Sequence, residues 1–347
     1  MKPVAADLLS GIALFAGLEP RELEGILRIF ERVSFAAGAA IVRQGQPADG
    51  AFVLESGRAK VMTALPGGGE ATVAELGPGS VLGEMALLEA GVRSATVVAR
   101  EPVAGYFIER DAFRALLCQR NDAAHRVQQR ITRTLCQRLR ELNAKILARD
   151  ASGAPAPAGR EAARAAPNFD FRAFLPVLPF FRRFSAEEID ALVATSQALE
   201  LARGALVFRQ GSPSTACYVV VRGAVEVSVT RDGERFRLGI LGPGRLFGHM
   251  ALIEGVPDHG TTATAREATT LLEIGRGAVE RLLAGVNRLD ARFQEEVNRN
   301  LLEALGHTNN HLTRLISQAC IRERSGRDSR EVRELQHALS TQDCRAA

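Results

Sequence analysis

The sequence predicts an α+β fold made of two tandem β-roll (jelly-roll-like) domains, each flanked by helices and followed by a long C-terminal helix. Three observations predict it. A block of sequence recurs after 166 residues, apolar residues alternate along short segments such as Val225, Val227 and Val229, and glycine turns separate these segments. Alternation with a period of two is typical of half-buried strands, and a long segment with helical spacing follows each set of strands.

The repeat is clearest at the start of each copy, where residues 38–47 recur at residues 204–213. The offset is 166 there, falls to 165 at the glycine turn of residues 77–79, and returns to 166 at Ala99. The second copy therefore lacks one hairpin residue and has one more residue between its turn and the equivalent of Ala99. We predict domains at residues 9–149 and 169–318, a linker rich in Ala, Pro and Gly at 150–168, and a charged tail at 319–347.

Composition limits the class of protein. The chain has 347 residues, of which 46% are hydrophobic, and a net charge of +4. This is enough apolar material for two cores, and the charge is too small to indicate nucleic-acid binding by itself. Because no apolar run approaches a membrane span and no export signal is present, we expect a cytoplasmic protein. Five scattered cysteines fit reduced thiols, and we find no catalytic constellation, so we do not expect an enzyme.

Residues 83–96 place a glycine, a carboxylate, a short apolar helix and an arginine at a spacing that suits an anion. Gly83 lets the backbone approach a ligand, and the start of a helical turn at residues 85–88 offers N–H groups that favour negative charge. Arg93 can add a forked, charge-assisted pair to the same phosphate. Since two anions repel, Glu84 suits sugar hydroxyls instead. An anion beside a diol describes a cyclic nucleotide.

The pattern Gly83-Glu84-x-Ala86-Leu87-x5-Arg93-x-Ala95-Thr96 resembles the phosphate-binding cassette of the cyclic-nucleotide-binding family, of the catabolite activator and protein kinase regulatory subunit type. Leu82 departs from the usual Phe of that family. The resemblance implies that Glu84 contacts the ribose and Arg93 the phosphate. The expected ligand is cAMP or cGMP, with a cyclic dinucleotide as an alternative and no further cofactor. The expected ligand-binding residues are Gly83, Glu84, Met85, Ala86, Arg93, Ser94, Ala95 and Asn143.

The segment after the first copy reads as an amphipathic helix, because apolar residues recur at helical spacing from Val127 to Ile146. The resemblance places Leu142 and Asn143 near the base, and Asn309 aligns with Asn143 in the second copy. We expect the ligand to move this helix. We also expect a homodimer, because the apolar stripe exceeds what one β-roll needs to cover. The basic residues of the helix read mainly as a solvated face, with an acidic partner as the alternative.

The second cassette departs from the pattern. His249 replaces the ribose carboxylate, and counting from the two ends puts either Asp258 or His259 at the place of the arginine. Neither can reproduce a guanidinium fork, so we predict a degenerate pocket at Gly248, His249, Asp258 and His259, and one nucleotide per chain. The alternative is another ligand, such as a metal or haem, held by histidines of this copy that include His307 and His311.

We therefore expect a regulatory protein that senses a cyclic nucleotide and signals through an unidentified protein partner. A DNA-binding regulator of the catabolite activator type is the alternative, but the residues after Gln318 are too few for a winged helix, so we do not expect DNA binding. A kinase-inhibitory subunit is a third hypothesis. Because the segment before the first domain is short, we do not expect an inhibitory arm.

Overall fold

The computed structural model describes residues 9–64, 70–148, 154–155, 165–166, 170–285 and 287–324. The chain divides into two compact units. The first runs to Ile131 and also includes the residues from Asn309 onward, and the second runs from Thr132 to Thr308. Each unit contains the strands of one copy of the repeat. None of the helices in the described ranges has the length and apolarity needed to cross a bilayer.

The strands of the first copy form two four-stranded antiparallel sheets with the orders β1-β10-β4-β7 and β2-β9-β5-β6, and β3 pairs with β8. A helix α1 at Pro20–Leu27 precedes them, and helices α2 at Arg110–Cys118 and α3 at Asp122–Leu147 follow. The strands are β1 Phe30–Phe35, β2 Ala40–Val42, β3 Pro47–Ala48, β4 Gly50–Ser56, β5 Ala59–Ala64, β6 Glu70–Leu76, β7 Val81–Leu82, β8 Gly91–Val92, β9 Thr96–Ala99 and β10 Val103–Glu109.

The core of the first copy lies between the two sheets. Along β9, Val97 and Ala99 are buried while their neighbours are half-buried, which is the alternation expected of a strand with one face inward. Val97 joins Leu54 of β4 and Val61 of β5 in one apolar cluster. Burial of each such side chain stabilises the fold by about 1.5–3 kcal/mol, so this cluster holds the two sheets together.

The second copy repeats this arrangement, with sheet orders β12-β19-β14-β17 and β11-β16-β15-β18-β13, in which β11 is Ala154–Pro155. Two short 3-10 turns at Arg172–Val177 and Pro179–Phe181 precede it. The elements that follow are α4 Ala186–Ala194, β12 Ser196–Leu201, β13 Leu206–Phe208, β14 Ala216–Arg222, β15 Val225–Arg231, β16 Glu234–Leu241, β17 Leu246–Phe247, α5 Met250–Glu254, β18 Thr262–Ala265, β19 Thr269–Gly275, α6 Arg276–Leu283 and α7 Arg288–Arg324. The prediction of two tandem β-rolls with long helices is confirmed.

The structure shows where the offset between the two copies changes. Ala59 pairs with Leu76 in the first copy, and Val225 pairs with Leu241 in the second, so the missing residue lies in the hairpin between these strands. That hairpin turns at Asp232 and Gly233, both at positive φ, as a tight two-residue turn requires. The extra residue lies after α5, where Gly255 ends the helix in the left-handed conformation.

The segment predicted as a linker pairs with the second copy where it is described. The strand β11 at Ala154–Pro155 extends the sheet along β16, and Ala165 forms an antiparallel bridge with Glu200. Two-residue pairings leave no periodic pattern in the sequence, which is why composition alone indicated a featureless linker. The predicted domain boundaries stay predictions.

Helix α3 is amphipathic as predicted, but its apolar stripe is covered within one chain. The residues of the stripe are all 7% exposed or less: Val127, Ile131, Leu135, Leu139, Leu142 and Ile146. An exposed stripe was the reason for expecting a homodimer. That reason does not hold, so the homodimer is left as a prediction without structural support.

Candidate functional site

The first cassette begins where β7 ends, at a glycine in the left-handed conformation. Gly83 has φ +75°, and a Cβ placed on it would clash with Nη1 of Arg93 and lie 3.2 Å from the carbonyl oxygen of Gly50. The left-handed backbone conformation favours glycine, and a larger residue would also displace the guanidinium of Arg93. A 3-10 turn follows at Glu84–Leu87, one residue earlier than the helical turn that the sequence predicted.

Arg93 lies immediately after β8, and its guanidinium is enclosed in the cassette, with only 6% of the residue exposed. Nη1 donates to the carbonyl oxygen of Gly50 at 2.7 Å, and Nη2 donates to Oδ1 of Asp49 at 2.9 Å. Its Cζ lies 5.7 Å from the ring centre of Phe52, within cation–π range. Burial lowers the pKa of Arg93, and the charges of Asp49 and Glu84 oppose this. An arginine remains charged in proteins, so the cassette encloses a fixed cation.

Glu84 is the first residue of the 3-10 turn and is 7% exposed. Its charge is near enough to Arg93 to raise the pKa of that guanidinium. A buried carboxylate is costly to hold unless it has polar or charged neighbours. Glu84 and Arg93 therefore form a buried pair of opposite charges, at the two positions where the sequence predicted the ribose and phosphate contacts.

The other predicted site residues differ in exposure. Ala86 and Ala95 are buried, Met85 is half-buried and Ser94 is exposed. Asn143 is half-buried on α3 and belongs to the second unit, whereas residues 83–95 belong to the first. The contact of Asn143 with a base stays a prediction.

Sequence reasoning missed the residues that hold Arg93, namely Asp49 and Gly50. The repeat carries a signal that points to the carboxylate. At the offset of 166, Asp49 corresponds to Thr215, so the second copy lacks this carboxylate as well as the arginine. Loss of both partners in the same copy indicates a pair.

Strand pairing decides which residue of the second copy takes the position of Arg93. In the first copy Pro47 pairs with Val92, and in the second copy Pro213 pairs with Asp258. Asp258 therefore corresponds to Val92 and is exposed, and the next residue, His259, corresponds to Arg93.

Backbone hydrogen bonds agree with this assignment. The carbonyl oxygen of Arg93 accepts from the N–H of Gly45 at 2.9 Å, and that of His259 accepts from the N–H of Gly211 at 2.8 Å. Gly45 and Gly211 are equivalent at the offset of 166. The alternative between Asp258 and His259 that the sequence left open is resolved in favour of His259.

Two buried histidines occupy the second cassette. His249, at the position of Glu84, is 5% exposed, and burial alone lowers its pKa to about 4. Neither of its ring nitrogens has a hydrogen-bond partner among the described residues. For His259, burial and then the charge of Arg276 lower the pKa to about 4, against a smaller opposing effect of Asp258. Both imidazoles are neutral at pH 7, so the second cassette carries neither the cation nor the carboxylate of the first.

Aromatic rings lie beside His259 in the second cassette. Its ring stacks on Phe208 with 3.7 Å between ring centres and an angle of 9° between planes. Phe208 in turn lies 5.9 Å from Tyr218, and Tyr218 lies 5.3 Å from Phe247. We call Phe208, Tyr218, Phe247 and His259 the ring stack. Their equivalents in the first copy are Val42, Phe52, Leu82 and Arg93, so the second copy has gained three rings and lost a guanidinium.

The histidines of the second copy do not support the metal or haem alternative. His307 and His311 lie exposed on α7, whereas His249 and His259 are buried in the cassette. Among the residues that the structure describes, no group of three or more His, Cys, Asp and Glu side chains is arranged to hold a metal ion.

Comparison with known proteins agrees with the geometry. The family model described as cyclic nucleotide-binding domain matches residues 32–120 and 198–285, just over half of the chain. The chain is 27% identical over 263 residues to a cAMP-dependent protein kinase regulatory subunit of Mycosarcoma maydis, covering 73% of this chain and 42% of that protein. It is 34% identical over 138 residues to the cyclic AMP receptor protein of Thermus thermophilus, covering 40% of this chain and 62% of that protein.

A third relative is an enzyme by name, the acetyltransferase Pat of Mycolicibacterium smegmatis, with 40% identity over 113 residues, 33% of each protein. The chain spans less than two thirds of the length of each of these curated relatives. Among solved structures, the regulatory domain of Toxoplasma gondii PKA with cAMP matches 83% of this chain and 93% of its own, at 20% identity and a TM-score of 0.32. The assignment rests on the two matched regions and the paired cassettes: the chain belongs to the cyclic nucleotide-binding domain family.

Proposed function

We propose that this chain is a regulatory protein whose first copy binds one cyclic nucleoside monophosphate, cAMP or cGMP, and that it has no catalytic activity of its own. The observation that carries the proposal is the buried guanidinium of Arg93, held beneath Gly83 by Asp49 and Gly50. Similarity to a regulatory subunit of cAMP-dependent protein kinase and to a cyclic AMP receptor protein supports the choice of ligand class.

Arg93 keeps donors available for a phosphate. A guanidinium has five N–H donors, and the bonds to Gly50 and Asp49 account for two of them. The remaining donors suit the exocyclic oxygens of a cyclic phosphate, with the backbone of the 3-10 turn at Glu84–Leu87 beside them. Glu84 would then accept from the ribose 2′-hydroxyl. Held in this way, Arg93 does not need to reorganise when the ligand binds, which favours affinity.

We expect calorimetric titration of the full chain to give one site for cAMP or cGMP. The second copy presents neutral imidazoles at the positions of both ligand contacts, and the imidazole at the position of Arg93 is stacked on Phe208. Titrations with cAMP, cGMP and cyclic di-GMP would identify the base and the ligand class. Two equivalent sites would contradict the prediction that the second pocket is degenerate. Binding of cyclic di-GMP alone would contradict the proposal that the ligand is a cyclic nucleoside monophosphate.

We further propose that α3 transmits the binding event to a protein partner. In the first unit, Arg126 pairs with Glu22 at 3.3 Å, and Arg130 donates to the carbonyl oxygen of Leu14 at 3.0 Å. The later half of the helix, from Thr132, belongs to the second unit. Because several of its basic residues make contacts within the chain, the helix offers less positive charge to a polyanion such as DNA than its sequence indicates.

Hydrogen exchange with and without saturating cyclic nucleotide tests this transmission. We expect protection of residues 80–96, from the ligand itself, and of residues 135–148, because a ligand shifts the population toward the states that it contacts better. A change confined to residues 80–96 would contradict transmission through α3 and leave the binding proposal intact.

A further inference from the structure

The second cassette has a side-chain contact that the first copy lacks, the stacking of His259 on Phe208. The backbone around His259 is hydrogen-bonded as in the first copy: its N–H donates to the carbonyl oxygen of Ser212 at 2.9 Å, as that of Arg93 does to Gln46 at 2.8 Å. The preceding loop is tied down as well, since the carbonyl oxygen of Pro257 accepts from the N–H of Ser214 at 2.8 Å. The ring stack is thus the feature that distinguishes the packing of the second cassette from that of the first, and it is part of the chain itself.

The same cassette contacts the later half of α3. At the end of α5, the carboxylate of Glu254 accepts a forked pair from Arg140, with Nε 2.8 Å from Oε2, and the carbonyl oxygen of Ile253 accepts from Nε of Arg133 at 3.3 Å. Glu254 is largely buried, with 10% of its side chain exposed. A forked, partly buried arginine–carboxylate pair is among the stronger polar contacts that a protein forms.

Arg140 also lies beside the residue that follows the ring stack. A Cβ on Gly260 would lie 2.9 Å from Nη1 of Arg140, and Gly260 directly follows His259. The guanidinium of Arg140 therefore lies next to both the end of α5 and the residue after His259. A shift of α5 would break its ion pair with Glu254, and a shift of Gly260 would change the space around it.

A buried polar cluster fixes the beginning of this half of α3. Oγ1 of Thr132 donates to Oδ1 of Asn298 at 2.7 Å, and Nε2 of Gln294 donates to Oγ1 of Thr132 at 3.3 Å. All three residues are 7% exposed or less. These buried hydrogen bonds join α3 to α7, and in a low-dielectric interior each is stronger than the same bond in water. Residues 132–147 are therefore anchored at one end to α7 and farther along to the second cassette.

We propose that the second copy keeps the conformation seen here, which we call closed, without any ligand, because the Phe208–His259 stack takes the place of a ligand. In this closed conformation, the surface formed by α5 and Gly260 is the docking site for residues 132–147 of this chain. An internal group that occupies the closed state stabilises it without any dependence on ligand concentration. The docking strength of this helix is then set by the ring stack. The proposal concerns the second copy and is independent of nucleotide binding in the first.

Hydrogen exchange of the full chain without nucleotide tests the proposal through Phe208→Leu, which keeps apolar bulk and removes the stacked ring. We expect exchange of residues 132–147 and 249–260 to accelerate by about tenfold or more, because closing of the cassette loses its packing. The strands β14 and β19 should keep their protection. Leu192→Ala, which shortens a fully buried side chain on α4 outside the ring stack, is the matched control. It should not accelerate exchange of residues 132–147 and 249–260 more than that of the rest of the second copy.

A second variant, Arg140→Gln, tests the coupling from the other side without touching the core. Coupling between two sites is reciprocal, so release of Arg140 should accelerate exchange at residues 249–260 as well as at residues 132–147. Acceleration in residues 132–147 alone would overturn the link between stack and docking. Two results with Phe208→Leu would also overturn the proposal. One is unchanged exchange of residues 132–147, and the other is a loss of protection that affects β14 and β19 as much as residues 132–147 and 249–260.

Discussion

Replacement of Arg93 by alanine is expected to remove measurable binding of cyclic nucleotide. The side chain supplies the one buried cation of the first cassette, and loss of a hydrogen-bonded charge from a buried ionic contact costs about 2–5 kcal/mol, or roughly 30-fold in affinity and upward. Titration calorimetry with cAMP and cGMP measures the loss directly. Arg93→Lys should retain part of the affinity, because an ammonium keeps the charge but cannot contact Gly50, Asp49 and a phosphate in one plane.

This substitution costs little at Asp49, whose side chain is 70% exposed, so water replaces the guanidinium there. At Glu84, which is 7% exposed, it removes the opposite charge of a buried pair, so we also expect lower stability. Urea unfolding of the variant is therefore measured beside its binding, at a temperature where it is folded. Arg100→Ala is the matched control, because Arg100 is an arginine of the same copy that pairs with Glu75 on the surface and takes no part in the cassette. Near-normal affinity in Arg93→Ala, with Arg100→Ala unchanged, would contradict the assignment of the phosphate site.

The sequence predicted the turn, the short helix and the buried arginine of the first cassette because the information for them is local, while ligand binding there stays a prediction. Gly83, Glu84 and Arg93 lie within eleven residues, and a turn, a short helix and a strand connect them without a choice of partners. The bonds that hold Arg93 are long-range, since Asp49 is 44 residues away along the chain. The pairing of β3 with β8 brings these residues together, and the sequence of neither segment alone indicates which strand it pairs with.

The second cassette shows where reasoning from sequence reached its limit. One extra residue somewhere after α5 left two residues as candidates for the place of Arg93, and only the bridge between Pro213 and Asp258 distinguishes them. Part of the ring stack could have been predicted from the sequence. Phe208 and Val42 align at the same offset as the rest of the repeat, so a larger side chain in the second core could have been recognised, although not its contact with His259.

Helix α3 illustrates a different limit. The apolar spacing predicted an amphipathic helix correctly, but periodicity indicates only that one face is covered and not what covers it. The basic residues were interpreted as a solvated face, yet Arg133 and Arg140 contact the end of α5. Long side chains with polar ends allow such contacts on the flank of an apolar stripe, where sequence patterns do not distinguish solvent from a neighbouring element.

Mild acid is expected to destabilise the second copy through its two buried histidines. Their folded-state pKa values of about 4 lie below the ordinary value of 6.5. Well above pH 6.5, near pH 8, neither the folded nor the unfolded state binds a proton, and the histidines have no effect on the pH dependence of stability. As the pH falls from 6.5 toward 4, the unfolded state takes up protons that the folded state does not, so stability decreases across this window. At pH 5 the expected loss is about 2 kcal/mol for each histidine.

Urea unfolding at pH 7.5 and pH 5, followed by pulsed hydrogen exchange of β14 and β19, measures this loss in the second copy of the full chain. The matched variant combines His259→Phe, which keeps a ring on Phe208, with His249→Leu, which keeps an apolar side chain at the buried position. Neither replacement can bind a proton. His125, in the first unit, also has a lowered pKa from burial and is unchanged in the variant, as are all carboxylates. The variant should therefore retain only their part of the pH dependence, and the same fall in stability between pH 7.5 and pH 5 in both proteins would show that the two cassette histidines do not cause it.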